Sequence, residues 1–483
     1  MNTSVRPVLI LWLLGVLLTM LYPLAGLIMF ATSVVRYPEA CREVGRRVQT
    51  SDSLGAYGLG TGLFVFGMYW LMQLPAPADD LLRHIPGYAY GYSHRAIFPH
   101  SSIPDYNLYP AFEHIVGALA QAWGPLVALQ LVLATAWVSA FLLAWGLVRN
   151  AGATLSAGSA VLLCLLFSTA LPERLYLGRP EVFGVLWATA VLLCRNRFSL
   201  LAWIAGGVLF SSSYWLFPLY LVFLLLLPMG WRYRIAAGVA LLAYHFAFWT
   251  WQAGSVAAYV DVLALIPVWT KARVMPILET GSIWQMFAHP SMLILTLLGF
   301  TGLGHLDREK RWSLCAVAGA VLLTNMVRYS AVFALLMFVA ALPLVPAFNE
   351  FIRKHLAAAL LVLVLPLLTA GAVQQSATPY SHLPQFKLPV GAKVLTAFNE
   401  ATFALPFFNP GTVQVIPAME LGASELPYQR ATKALRDGKL TCADLAGLDV
   451  THVVEHTQRS LPACLVLREI RGDWRLWEVV HGR

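Results

Sequence analysis

Two adjacent carboxylates, Asp79 and Asp80, follow an apolar run and open a polar stretch, 75–124, whose residue types suit chemistry. A carboxylate pair at a membrane surface can act in two ways. Repulsion and desolvation can raise one pKa and make a general base, or both groups can hold a divalent metal. Either use would help take a proton from an acceptor hydroxyl. Asp is also favoured at helix starts, so a cap on a helix running through Leu81 and Leu82 is an equal reading of the pair. The stretch continues through His84, a Tyr- and Gly-rich segment, Arg95 and His100 to Pro104-Asp105-Tyr106-Asn107-Leu108-Tyr109. Later come Arg174, Gly178-Arg179-Pro180-Glu181, Lys271, Arg273 and Asn325-Met326-Val327-Arg328-Tyr329. Cations of this kind at the ends of apolar runs suit an anionic lipid phosphate. Taken singly, each also fits an interfacial side chain reaching for water.

The chain that must position these groups is 59% hydrophobic and 12% charged over 483 residues, whereas about a quarter of a soluble protein is charged. Lipid is therefore its main solvent, and the bilayer its first partner. Apolar runs near 7–35, 56–74, 125–147, 153–171, 181–194, 199–212, 214–228, 235–251, 290–304, 312–328, 330–347 and 356–372 predict a polytopic α-helical membrane protein of about twelve spans. The first run is too long for a signal-peptide core of about 7–15 residues; it reads as a retained helix bent at Pro23. Basic residues fall in alternate connections: Arg36, Arg42, Arg46 and Arg47; Arg149; Arg195 and Arg197; Arg232 and Arg234; Arg308, Lys310 and Arg311; Arg353 and Lys354. The positive-inside rule makes these loops cytoplasmic. It leaves the N-terminus, 75–124, 172–180, 252–289 and everything after 373 on the outer face. The net charge of +9 then reports orientation, and no arginine-rich stripe points to nucleic acid.

Residues 1–373 thus form the membrane part and 374–483 a small water-soluble α/β domain outside it. In that domain Lys393–Phe398, Val413–Ile416 and Thr451–Val454 read as strands and Tyr428–Leu440 as an amphipathic helix. Leu465–Leu467 and Trp477–Val479, flanking Arg471-Gly472-Asp473, read as a hairpin. Of six cysteines only Cys442 and Cys464 share the domain; outside the cytoplasm they are candidates for a disulfide.

The Asp79-Asp80 loop, the stretch around Tyr106-Asn107-Leu108-Tyr109, the Gly178-Arg179-Pro180-Glu181 turn and a C-terminal outer domain together resemble the GT-C superfamily of membrane glycosyltransferases. The likeness is nearest to the arabinofuranosyltransferases of mycobacterial cell walls and to a bacterial enzyme that arabinosylates type IV pilins. It runs to about Trp215; beyond that only topology matches, and the tail is unlike the carbohydrate-binding modules of the mycobacterial enzymes. The resemblance implies a bacterial inner-membrane enzyme that moves a sugar from a polyprenyl-phosphate donor, with inversion, to an extracytoplasmic glycan, lipid or protein acceptor. Asp79 would be the general base. Asp80 would orient it, bind sugar or hold a divalent metal, the one cofactor that the pair could require. Arg179, Arg328, Lys271 and Arg273 would meet the donor phosphate, and His84, Arg95, Asp105, Tyr106, Asn107 and Glu181 would contact substrate. Two other readings stay open. A transporter or flippase predicts mid-membrane ionisable groups and repeated broken helices, and a ligase or polymerase of lipid-linked oligosaccharide shares the outer basic loops.

Overall fold

The computed structural model describes residues 32, 36–39, 82, 94–100, 109–150, 156–176, 181–193, 197–215, 217–227, 229–261, 282–288, 290–324, 329–354, 382–416, 426–456 and 461–480. The expected spans 7–35, 56–74 and 356–372 fall almost wholly outside them.

After a short turn of helix, α1 (His94–Ile97), come α2 (Pro110–Trp123), α3 (Pro125–Asn150), α4 (Ala157–Leu166), α5 (Leu171–Tyr176), α6 (Glu181–Leu193) and α7 (Arg197–Ser213). A 3₁₀ helix (Phe217–Leu226) leads to α8 (Trp231–Ala253), and another (Ile283–Ala288) to α9 (Pro290–Leu303), α10 (Arg308–Leu323), α11 (Ser330–Ala341) and α12 (Val345–Lys354). Every described apolar run is thus helical, but some differ from expectation. The 75–124 stretch contains α2, a 14-residue helix burying Phe112, Glu113, Val116 and Ala120 at helical spacing. Its length of about 21 Å is too short to span. It ends at Gly124, where φ is +86° and a side chain would be strained. The 214–228 run is a 3₁₀ helix. The 330–347 run is helical as expected, α11 passing through a short 3₁₀ segment (Leu342–Leu344) at Pro343, which lacks the N–H for the α-helical ladder, into α12. Among the described residues two stretches, Gln130–Arg149 and Ser330–Phe351, are long and apolar enough to cross a membrane.

α8 presents two different faces. It buries the i, i+4 stripe Ala237, Leu241, His245 and Trp249 and turns Ile235, Val239 and Phe246 outward. Trp231 and Trp251, 66% and 75% exposed, mark its two ends. They lie about 30 Å apart at 1.5 Å per residue. α11 is buried almost all round. α9 packs on it through Gly299 and Gly302, whose missing side chains let the helices approach: a Cβ on Gly302 would overlap the Ala340 carbonyl oxygen and lie 2.9 Å from its carbon. At the basic end, Arg234 reaches Glu309 at 2.6 Å and ties the start of α8 to that of α10.

The tail forms a five-stranded sheet, order β2-β1-β3-β5-β4. β1 (Ala392–Thr396) connects through α13 (Asn399–Phe408) to β2 (Val413–Ile416), then α14 (Leu426–Arg436), α15 (Cys442–Leu445), β3 (His452–Glu455), β4 (Leu465–Arg471) and β5 (Trp474–Val479). β1 pairs in parallel with β2 and β3, and β5 pairs antiparallel with β3 and β4. Gly472 takes the positive φ of +56° that the hairpin turn needs. Cys442 and Cys464 are joined by a disulfide, their Cα atoms 5.9 Å apart across 22 residues. Closing a loop of that length stabilises by about 3 kcal/mol. Leu383, Phe386, Phe403 and Trp474 belong to the same apolar cluster as the helices, whereas Tyr428, Leu435 and Val453 form a second cluster under α14.

Asp449 fixes the α14 side of the sheet: it accepts from the Tyr428 hydroxyl at 2.6 Å and pairs with Lys393. Partial burial raises its pKa, but the Lys393 and Tyr428 hydrogen bonds and the charges of Lys393 and His100 outweigh that and hold it below the ordinary carboxylate value. A folded-state pKa below the unfolded one gives stability that is complete above the unfolded value and lost as pH falls through the folded one. The tail domain is therefore expected to lose stability as pH drops below about 4. Thermal melts of Asp449→Asn and wild type should converge there and differ at pH 7; a constant gap between them would refute the assignment.

Candidate active site

Asp79, Asp80, His84, Asp105, Tyr106, Asn107, Arg179, Lys271, Arg273 and Arg328 lie outside the described residues. Described residues flank several of them. Leu82, two residues after the aspartate pair, is helical and fully buried in the main apolar cluster. Tyr109 follows the Asp105-Tyr106-Asn107 stretch and, at the entrance of α2, stacks on Tyr214 with ring centroids 6.1 Å apart. Glu181 opens α6 directly after Arg179 and Pro180 in the chain. Two residues on, Phe183 meets Phe112 of α2 edge-on at 5.7 Å. Gly184 lies so close to Tyr220 that a Cβ there would come within 2.5 Å of its ring, and 2.8 Å of Phe210. Tyr329, immediately after Arg328, packs on Tyr220 at 5.7 Å, and Tyr220 packs on Tyr214 at 6.2 Å.

The entrance to α2, the start of α6, the end of α7 and the entrance to α11 therefore converge on one aromatic wall, Tyr109-Tyr214-Tyr220-Tyr329 with Phe210 behind it. Tyr214, Tyr220 and Tyr329 are each at most 3% exposed. Rings this deeply buried pack on one another and hold together the elements that flank the motifs. Tyrosines at a bilayer interface are expected of any membrane protein; their convergence in the fold is the new information.

Arg95, on α1, is exposed, and Arg174, in the last turn of α5, is half-buried. Two further groups belong to no motif in the sequence. Glu113, 4% exposed in the first turn of α2, is a carboxylate at a helix N-terminus, where the dipole favours its charge. His245, fully buried on α8, contacts Ser211 Oγ through Nδ1 at 2.8 Å and the Tyr259 hydroxyl through Nε2 at 2.7 Å. Tyr259 donates to the Trp215 carbonyl, so His245 Nε2 donates to Tyr259 and Nδ1 accepts from Ser211. The imidazole ties the end of α7 to α8 and to the 256–261 segment. A lone histidine within the apolar run 235–251 was the available signal. Among the described residues no group of three or more His, Cys, Asp or Glu could hold a metal ion.

No family model matches the chain, and no curated protein does. The structure is similar to that of ArnT from Cupriavidus metallidurans, crystallised bound to undecaprenyl phosphate: TM-score 0.56, 11% identity, 89% of this chain and 98% of that one. An oligosaccharyltransferase from Archaeoglobus fulgidus, crystallised tethered to an acceptor peptide, matches with a TM-score of 0.48 and 12% identity over 82% of this chain and 69% of that one. This chain and ArnT share a fold along almost their whole lengths.

Proposed function

We propose that the chain is an inverting glycosyltransferase of the GT-C type, embedded in a bacterial inner membrane, that takes a sugar from a polyprenyl monophosphate and places it on an extracytoplasmic acceptor. The observation that carries this reading is the convergence of the chain segments flanking Asp105-Tyr106-Asn107, Arg179 and Arg328 on one aromatic wall, within a fold shared with ArnT. Attack by the acceptor oxygen on the anomeric carbon forms the new C–O bond. The bond from that carbon to the donor phosphate breaks, its electron pair going to the phosphate oxygen. The phosphate is already a good leaving group, so it needs charge neutralisation more than protonation; Arg179 and Arg328, with Lys271 and Arg273, supply it as charge develops. Asp79 takes the acceptor proton, and Asp80 orients it, contacts the sugar or holds a divalent metal. His84, Arg95, Asp105, Tyr106, Asn107 and Glu181 surround the substrates. Direct displacement from the opposite face inverts the anomeric configuration.

The acceptor is a glycan, a lipid or a protein such as pilin, and arabinofuranose is the sugar favoured by the likeness of the Asp79-Asp80 and Arg179-Pro180-Glu181 motifs. Residues 374–483 lie on the same outer side as the 75–124 loop. The contact between His100 and Asp449, 3.7 Å apart, supports a shared side, and the Cys442–Cys464 disulfide suits an oxidising compartment.

Purified protein given a panel of polyprenyl-phosphate pentoses, hexoses and aminopentoses should release free polyprenyl phosphate from one donor class, in step with a glycosylated product of inverted configuration. Retained configuration, or no release from any donor with membrane extract supplied as acceptor source, would reject the reading.

A further inference from the structure

The 75–124 loop carries chemistry-bearing groups at both ends, Asp79-Asp80 before and Asp105-Tyr106-Asn107 after, and between them it is fastened to the tail domain. Ile97 and Phe98, 5% and 0% exposed, enter the cluster that also holds Phe386, Phe403 and Trp474 of the tail. α1 packs against β2, one edge of the sheet. His100 lies flat on the Tyr428 ring, centroids 3.8 Å apart and planes 25° from parallel, with Nε2 3.7 Å from Asp449 Oδ1. The platform beneath it is itself held. Tyr428 is 6% exposed, its hydroxyl donates to Asp449 at 2.6 Å, and Asp449 is anchored by Lys393 on β1. Sheet, helix α14 and loop are thus joined through one ring.

From this geometry we infer that the C-terminal domain clamps residues 94–100 of the stretch that also carries Asp79 and Asp80, and that His100 is a positioning residue whose flat ring, rather than its acid–base chemistry, sets where that segment sits. The inference rests on the glycosyl-transfer reading for its consequence but not for the contact. Catalysis is sensitive to this kind of placement: a 1 Å displacement of a reacting group costs on the order of a hundredfold in rate. His100 lies 20 residues beyond Asp80 and five before Asp105, so releasing it is expected to disturb the reacting groups.

The test uses the full-length protein in detergent with His100→Ala, His100→Phe and Tyr428→Ala. His100→Ala leaves the tail core untouched and is expected to lower kcat about tenfold with donor KM within twofold of wild type. His100→Phe keeps the stack and should retain at least half the wild-type kcat. Amide hydrogen exchange at Ala96 to His100, read without substrate, should quicken in His100→Ala and Tyr428→Ala and stay slow in His100→Phe. Three outcomes would overturn the inference: His100→Phe as impaired as His100→Ala, which would mean the imidazole does the chemistry; wild-type kcat in His100→Ala; or unchanged exchange in both alanine variants. Quickened exchange in a protein that transfers from no donor would reject the glycosyl-transfer reading while leaving the clamp in place.

Discussion

Asp79→Asn is expected to lower kcat for sugar transfer by about 10²–10⁴-fold, the range that a lost general base covers, with donor KM nearly unchanged. Asn keeps the shape of Asp and removes only its charge and basicity, so packing around Leu82, fully buried in the main cluster, should persist. Asp80→Asn separates the remaining roles. If Asp80 orients Asp79 or contacts the sugar, activity falls and added divalent metal has no effect. If the pair holds a metal, raising its concentration restores part of the rate, because a weakened site is refilled by mass action. The decisive measurement is single-turnover transfer at saturating donor; a wild-type rate constant in Asp79→Asn would remove that residue from the mechanism and return the pair to its role as a helix cap.

The largest structural effect is expected at Gly302. Its Cβ would overlap the Ala340 carbonyl of α11 and lie 3.1 Å from Ala341 Cα. The obstacle is backbone in a helix buried almost all round, so no side chain can rotate away. Gly302→Val must push α9 off α11, at a cost of about 3 kcal/mol, and should lower the melting temperature and the folded yield in detergent. Gly319 on α10 has no neighbour within 4 Å of its notional Cβ, so Gly319→Ala should melt within a degree or two of wild type. Equal melting of the two variants would refute the close approach of α9 and α11.

The fold was legible where one element could be read alone. Lipid makes an apolar run visible as a helix without knowledge of its neighbours, and each described run is helical. Val413–Ile416 is a strand with the expected bounds, and the expected hairpin is β4 and β5 around Gly472. Elements were less legible where local signals compete. Phe398, expected to end a strand, instead caps α13, which carries Pro406 inside it and so lacks the usual helical signature. Phe217–Leu226 is apolar throughout yet wound as a 3₁₀ helix, a choice hydropathy does not encode.

The site was legible as motifs and illegible as a place. Nothing in the order of residues says that Tyr109 meets Tyr214 or that Tyr220 meets Tyr329, since each pair joins elements far apart in the chain. The same holds for His245, whose partners Ser211 and Tyr259 are 34 and 14 residues away. His100 looked like one polar residue among several in a loop, and its partner Tyr428 like the first residue of an amphipathic helix.

The stack of His100 on Tyr428 joins residues 328 positions apart (428 − 100). At about 5–20 residues per second, the segment 94–100 leaves the ribosome tens of seconds before the helix that receives it. During that interval Ile97 and Phe98 have no partner from the tail. On the proposed topology the tail must then cross the bilayer, pair Cys442 with Cys464 and fold before the stack can form. The proposed clamp would therefore form only after Tyr428 has been made, and a chain cut short before that residue would lack it.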